Sequence, residues 1–300
     1  YFVRDPDTDT WEGPLRAEGL PATLARLHPA IPLGGATTTI GAGTLLRLHG
    51  TEAAEVRYTL HGRDRWDDAA RVLALSKATF ETPTPRHHPE VAEWLRLLGG
   101  PRHDRLLDWR ATSPDPKRPT AALHVEGPKA IGKGLLVAAI SRQWRSNAVP
   151  FRIAIDKYYF PLTECPIVSL DESWGRLSAK DSGTFRALIT ESVRTVEEKY
   201  MPTLPLSGCV RLIITANNPD AIQLSGGHTS ADVEAISGRI LHVKTGTAAA
   251  RYLEGLGGRA YTDTEGWVET ADGRPGKVIE HLRHLQTSRV VALGSRLLVE

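Results

Sequence analysis

The chain has 300 residues, 41% of them hydrophobic and 24% charged, which supports one large or two smaller packed domains and excludes a disordered chain. A formal net charge of +2 demands no polyanionic partner and leaves any such contact to local basic patches. Cys165 and Cys209 are the only cysteines, excluding a disulfide framework or a four-cysteine zinc site and pointing to a reducing, cytoplasmic setting; no apolar run approaches the ~18 residues that span a bilayer, and no basic-then-apolar leader opens the chain.

In chain order, residues 1–82 mix short alternating segments with turn clusters, Asp5-Pro6-Asp7 and Gly34-Gly35, and are expected to form a small α+β module. Glu55-Val56-Arg57-Tyr58-Thr59-Leu60 alternates with the period of a strand, and 20–27 and 65–75 read as helices. Around Pro83 the composition turns to proline, arginine and histidine (PTPRHHPEV), and residues before proline disfavour helix, so 83–120 is expected to hold a linker and then lead helices. His87, His88 and His103 lack carboxylate or cysteine partners at ligand spacing and read as solvated linker residues, not a metal site. The segments VAEWLRLLGG and HDRLLDWRA place Trp94, Leu95, Leu98, Leu106, Leu107 and Trp109 at helical spacing, as core positions. Beyond them, short apolar runs at 121–125, 151–155, 166–170, 210–215 and 239–243 read as strands alternating with helices, one of which follows Gly132. Such alternation argues for an α/β core over 121–300, a mostly parallel sheet with helices on its faces. The chain opens on Tyr1 and closes on the strand-like Leu298-Val299-Glu300, so a fragment of a longer protein is expected.

Gly127-Pro128-Lys129-Ala130-Ile131-Gly132-Lys133, followed by Gly134 and Leu135, lies between an expected strand and an expected helix. Glycines let backbone N–H groups converge on phosphates, the helix N-terminus adds positive potential, and Lys133 supplies a mobile charge. A plain turn entering a helix is the alternative. Asp171-Glu172 end the run Pro166-Ile167-Val168-Ser169-Leu170, where one carboxylate can hold magnesium and the next polarise a water; solvated loop acids read the same way. Asn217 ends another apolar run, and an amide at that position can touch a γ-phosphate and orient water, unless Asn217-Asn218-Pro219 is only a turn. Arg239, just before the last run, either reaches a neighbouring subunit's γ-phosphate or is a surface residue.

In this order, GPKAIGKG, IVSLDES, ALITESVRTVEEKYMP, RLIITANNPDAI and ISGRILHV resemble the superfamily 3 helicases, especially the primase-helicases of phages, plasmids and poxvirus-like mobile elements. The resemblance covers about 89–300; residues 1–82 look only weakly like the module between primase and helicase in such proteins. It implies a P-loop, AAA+-like ATPase core, assembled as a hexameric ring with ATP and magnesium between subunits, acting on single-stranded or forked DNA in replication. A primase domain or other replication proteins would be its partners, with no membrane. By position, the resemblance implies that Gly127, Gly132 and Lys133 hold phosphate, that Asp171 and Glu172 serve metal and water, that Asn217 senses the γ-phosphate and that Arg239 acts in trans. It also implies that Arg194 to Tyr200 form a hairpin facing the ring's channel. Lys199 would there follow backbone phosphates and Tyr200 stack on a base.

Three departures from the family pattern bear on hydrolysis. Gly134 stands where a metal-binding hydroxyl is usual, and Leu135 supplies none one position later. Asn218 competes with Asn217 as the sensor, and Gly238 replaces a second arginine. Two alternatives to a helicase follow: an ATP-binding, AAA+-like DNA- or protein-binding module with weak or no turnover, and a small-molecule phosphotransferase.

Overall fold

A computed structural model describes residues 1–16, 18–28, 50–60, 63–155, 160–171, 179–197, 203–217, 229–257, 264 and 266–297. The chain begins with β1 (Val3–Arg4), β2 (Trp11–Glu12), α1 (Leu20–Leu27), β3 (Glu55–Thr59), β4 (Arg65–Asp67) and β5 (Val72–Leu75). Helices α2 (Pro89–Gly99) and α3 (His103–Thr112) follow, then β6 (Ala122–Glu126), α4 (Lys133–Arg142), β7 (Val149–Pro150), α5 (Phe151–Ala154) and β8 (Ile167–Asp171). Next come α6 (Ala179–Thr190), the hairpin β9 (Val193–Val196) and β10 (Leu204–Ser207), β11 (Arg211–Ala216), α7 (Ser230–Ser237), β12 (Ile240–Lys244), α8 (Ala248–Gly255) and α9 (Lys277–Leu297).

Five strands form an all-parallel sheet in the order β12-β6-β11-β8-β7. Strands covered on both faces need side chains that tolerate burial at every position, and β6 and β11 are buried throughout. The chain leaves β6 for the edge strand β7, returns through β8 and β11, and passes to β12 on the other side of β6. Right-handed crossovers along this path put α4 and α6 on opposite faces. The architecture is therefore the mixed α/β one that the alternation of runs implies. Among the described residues, no helix is long and apolar enough to cross a membrane.

A second sheet, β4-β5-β3-β10-β9, joins the N-terminal strands to the β9–β10 hairpin. Here β10 runs parallel to β3, with Leu206 opposite Tyr58 and Ser207 opposite Thr59. Tyr58, Leu73, Leu75, Val196 and Leu206 are all buried on it.

Three expectations need correction. Residues 65–75 form β4 and β5 instead of a helix: the Asp67 carboxylate accepts the Ala70 backbone N–H at 3.0 Å and turns the chain, after which Leu73 and Leu75 are buried with period two. Residues 151–155 begin α5, since burial of Phe151 and Ala154, three apart, matches one face of a helix, with the exposed Ile153 between. The third concerns His88, which is buried where a solvated residue is expected. The strand expected at 298–299 lies outside the described residues.

Helix α2 shows local rules at work: Pro89 stands at its first position, His88 before it is extended, and Gly100 ends it with φ +49°. His88 is held from the other end of the chain. Its Nε2 pairs with a Glu280 carboxylate oxygen at 2.7 Å, and its backbone N–H donates to Nδ1 of His281 at 3.1 Å. The His281 ring lies 5.1 Å from His87 and 5.9 Å from His284. Burial first, then the charges of His87, His284 and His88 against the opposing pull of Glu90, push the His281 pKa down to about 4. A base with a depressed native pKa is protonated first in the unfolded chain. Its contribution is complete above the unfolded value and is lost as pH falls from 6.5 toward 4. The urea midpoint is therefore expected to drop between pH 7 and 5, with a slope approaching about 1.4 kcal/mol per pH unit from this residue. His281→Asn, which keeps an acceptor for the His88 N–H but does not titrate, should flatten that slope.

Candidate functional site

The candidate site grows from the carboxyl end of β6. Two neighbours remote in sequence flank this strand, and such a switch of connectivity leaves a crevice above the strand ends. The backbone stays paired up to the crevice. Thr245 N–H donates to the Glu126 carbonyl at 2.9 Å, and Gly127 N–H donates to the Ala216 carbonyl at 3.0 Å. A Cβ on Gly127 would lie 2.6 Å from Thr245 Cγ2 and 2.8 Å from Ile131 Cδ1, so the crowded exit admits only glycine. The loop then curls through positive φ at Ala130 (+70°) and Gly132 (+89°) into α4.

Trp94 of α2 holds this curl from below. Its Nε1–H donates to the Ile131 carbonyl at 3.1 Å, and its ring would meet a Cβ on Gly132 at 2.8 Å. The first N–H groups of α4 lack intrahelical acceptors, and with the positive end of the helix dipole they form an anion cradle. Lys133 opens the helix. Its Nζ donates to the Gly127 carbonyl at 2.8 Å, the Pro128 carbonyl at 3.0 Å and Oδ1 of Asn217 at 2.8 Å. The Thr215 hydroxyl, two residues before Asn217 and on the same face of the strand, donates to Oδ1 of Asp171 at 2.7 Å. One polar line thus crosses the carboxyl ends of β6, β11 and β8.

Of the expected site residues, the structure brings together Gly127, Pro128, Gly132, Lys133, Asn217 and Asp171. Lys129 is exposed on the loop, while Ile131 and Leu135 bury their side chains in the core. Gly134 is exposed in the first turn of α4, and nothing lies within 4 Å of a Cβ built on it. Glu172, Asn218, Lys199 and Tyr200 lie outside the described residues. Arg194 sits in β9 on the face that carries buried Val196, and its guanidinium donates to the Glu191 carbonyl at 2.7 Å. Arg239 donates to the Ala235 carbonyl at the end of α7, and its own carbonyl accepts the Ala122 N–H at 2.8 Å. It therefore stands at the amino ends of β6 and β12, whereas the loop stands at the carboxyl end of β6. At about 3.3 Å per residue, five residues of strand put roughly 16 Å between them.

Sequence reasoning missed Trp94, which it treats only as core, and Thr215, whose signal is its two-residue offset from Asn217. It also missed a polar cluster on the opposite face of β6, where His242 Nε2 and Lys244 Nζ reach Glu126 at 2.7 and 3.1 Å. His124 stacks on His242 at 4.7 Å, and burial, then His242, pushes the His124 pKa down to about 4.

No family model and no curated protein sequence matches this chain. Among solved structures, the apo C-terminal region of NrS-1 matches it with a TM-score of 0.61 and 14% identity, over 95% of this chain and 65% of that one. An A-form apo structure of the same region gives 0.53 and 15%, over 81% and 59%. A JCV helicase gives only 0.34 and 11% over 68% of this chain, too distant to argue from. The fold is therefore shared: a mixed α/β architecture around a five-stranded parallel core. One protein it resembles in fold is the NrS-1 C-terminal region, of which this chain spans 65% of the length.

The two glycines of the loop's end predict opposite outcomes. Gly132→Ala meets both a positive φ and the Trp94 ring and should cost about 1–3 kcal/mol or more. Gly134→Ala meets neither, and should be neutral or stabilise by up to about 0.5–1 kcal/mol through helix propensity, as read from urea unfolding.

Proposed function

We propose that the chain is an ATP-dependent DNA helicase, superfamily 3-like, of a phage, plasmid or other mobile element, working in replication as a hexameric ring with ATP sites between subunits. The observation that carries this reading is the Lys133 ammonium, held at the mouth of the anion cradle and bonded to Asn217. Loop and helix N–H groups would grip the β-phosphate. Lys133 would exchange its carbonyl partners for β- and γ-phosphate oxygens, and Asn217, released from it, would turn to the γ-phosphate. Glu172 would take the proton side of the attacking water.

The donor set also fits magnesium. Asp171 is an exposed carboxylate at a strand end, with Oδ1 engaged by Thr215, and would hold the cation beside the phosphates. When bound, the ion would supply neutralisation of phosphate charge. Arg239, at the far end of the sheet from its own loop, is suited to a neighbouring subunit's site. Lys199 and Tyr200, with Arg194 at the foot of the hairpin, are the proposed contacts to single-stranded or forked DNA.

Lys133→Ala and Arg239→Ala should each lower DNA-stimulated ATP hydrolysis by on the order of 10²-fold or more. Mixing the two inactive proteins should restore a measurable fraction, because one class of interface then keeps both groups. If the wild-type chain shows no DNA-stimulated hydrolysis and Lys133→Ala changes nothing, the reading is wrong.

Gly134 favours a second reading, an ATP-dependent clamp on DNA or on a protein with slow turnover, since it offers magnesium no hydroxyl. Space for a side chain is present there. Gly134→Ser should raise turnover several-fold if the clamp reading holds, and change it little if the helicase already hydrolyses ATP efficiently.

A further inference from the structure

We infer that β3, β5 and residues 77–81 position the β9–β10 hairpin, holding it at one end and fastening it at the other to the end of the phosphate-loop helix α4. The positioning itself stands on geometry; its consequence for ATP-driven work rests on the helicase reading above.

The hairpin is inserted between α6 and β11, yet β10 takes its other partner from more than a hundred residues earlier in the chain. Beyond the paired residues of β3 and β10, the Leu60 N–H donates to the Ser207 carbonyl at 2.9 Å. Gly208, at φ +124°, closes the hairpin base through its N–H to the Ser192 carbonyl at 2.7 Å. A Cβ on Gly208 would lie 2.8 Å from Leu60 Cβ. Leu60 thus sits directly against the base of the hairpin. Leu60, Tyr58 and Leu206 are buried, so this joint is apolar as well as hydrogen-bonded.

The same segment is seated on the ATPase core at two further points. The Tyr58 ring meets Phe160 edge-on at 5.7 Å, and Lys77 Nζ stands 4.3 Å over the Phe160 ring. Phe80 packs edge-on against Trp144 at 4.8 Å, the Glu81 N–H donates to the Gln143 carbonyl at 2.6 Å, and the Glu81 carboxylate pairs with Arg145 at 3.2 Å. Gln143 caps the end of α4, whose other end is Lys133. A helix of ten residues spans about 15 Å, the distance between these two ends. The described contacts therefore run unbroken from the phosphate loop, along α4, through Phe80 and Glu81, to β5, β3 and β10.

The test uses the full chain with two substitutions at the joint, Leu60→Ala and the milder Leu60→Val, and one at the far seat, Phe80→Leu. Amide exchange in 193–197 and 203–207 should accelerate about tenfold or more in Leu60→Ala and by a smaller factor in Leu60→Val, while amides of β6 and β11 keep their wild-type rates. Unchanged hairpin exchange overturns the proposal, and so does an equal rise in both sheets in both Leu60 variants, which would make β3 merely structural. Phe80→Leu should keep basal ATP hydrolysis and KM for ATP within about twofold of wild type and lose most of the stimulation by single-stranded DNA. Stimulation retained in full overturns the link to α4. If the wild-type chain shows no stimulation at all, the helicase reading fails, while the exchange rates still decide whether β3 positions the hairpin.

Discussion

The structure depends on the position of β6, a parallel strand with a hydrogen-bonded neighbour on each edge and cover on both faces. Every peptide group of such a strand must be paired, because water cannot reach it. The chain can leave only at the strand's end, between β11 and β12, and the last pairings, Thr245 to Glu126 and Gly127 to Ala216, reach up to the point of exit. Crowding by Thr245 then makes Gly127 necessary, and the sharp rise into α4 needs positive φ at Ala130 and Gly132. What results is a helix N-terminus set at the carboxyl ends of the parallel strands. The anion cradle follows from sheet topology before any charged side chain is considered.

Charge completes the site. An ammonium at a helix N-terminus is repelled by the dipole unless acceptors surround it, and the carbonyls of Gly127 and Pro128 with the Asn217 amide do so. The same bonds tie the loop to β11, and the Thr215–Asp171 bond ties β11 to β8. Any anion that draws Lys133 away competes directly with Asn217. Asn217 and Thr215 lie two residues apart at the end of β11, so the two bonds meet on one strand end.

The second sheet extends this arrangement to the N-terminal strands. Its central pairing, β3 with β10, joins segments far apart in the chain, and the hairpin inserted before β11 cannot be described without residues 55–60. A hairpin by itself is marginal in water, and three or more strands over an apolar face give it a fixed position. Tyr58, Leu60 and Leu206 supply that face, and Phe80 with Trp144 carries it onto α4.

The alternation of apolar runs, the buried faces of α2 and α3, and the glycine-lysine spacing of the loop are local patterns, and the sequence by itself determined them. Proline and glycine at the ends of α2 were equally legible, since each acts through its own φ. Short runs were not: 65–75 and 151–155 carry apolar residues at spacings that serve strand or helix, and a side-chain turn at Asp67 and the neighbours of Phe151 decided between them. Tertiary structure alone placed Trp94 beneath the loop, His88 against Glu280, Thr215 beside Asp171 and β3 against β10. Each of these is a contact between residues distant in the chain, whose partners no local spacing encodes. The sequence thus specified the glycine-lysine loop, and the fold decided which distant residues hold its curl in shape.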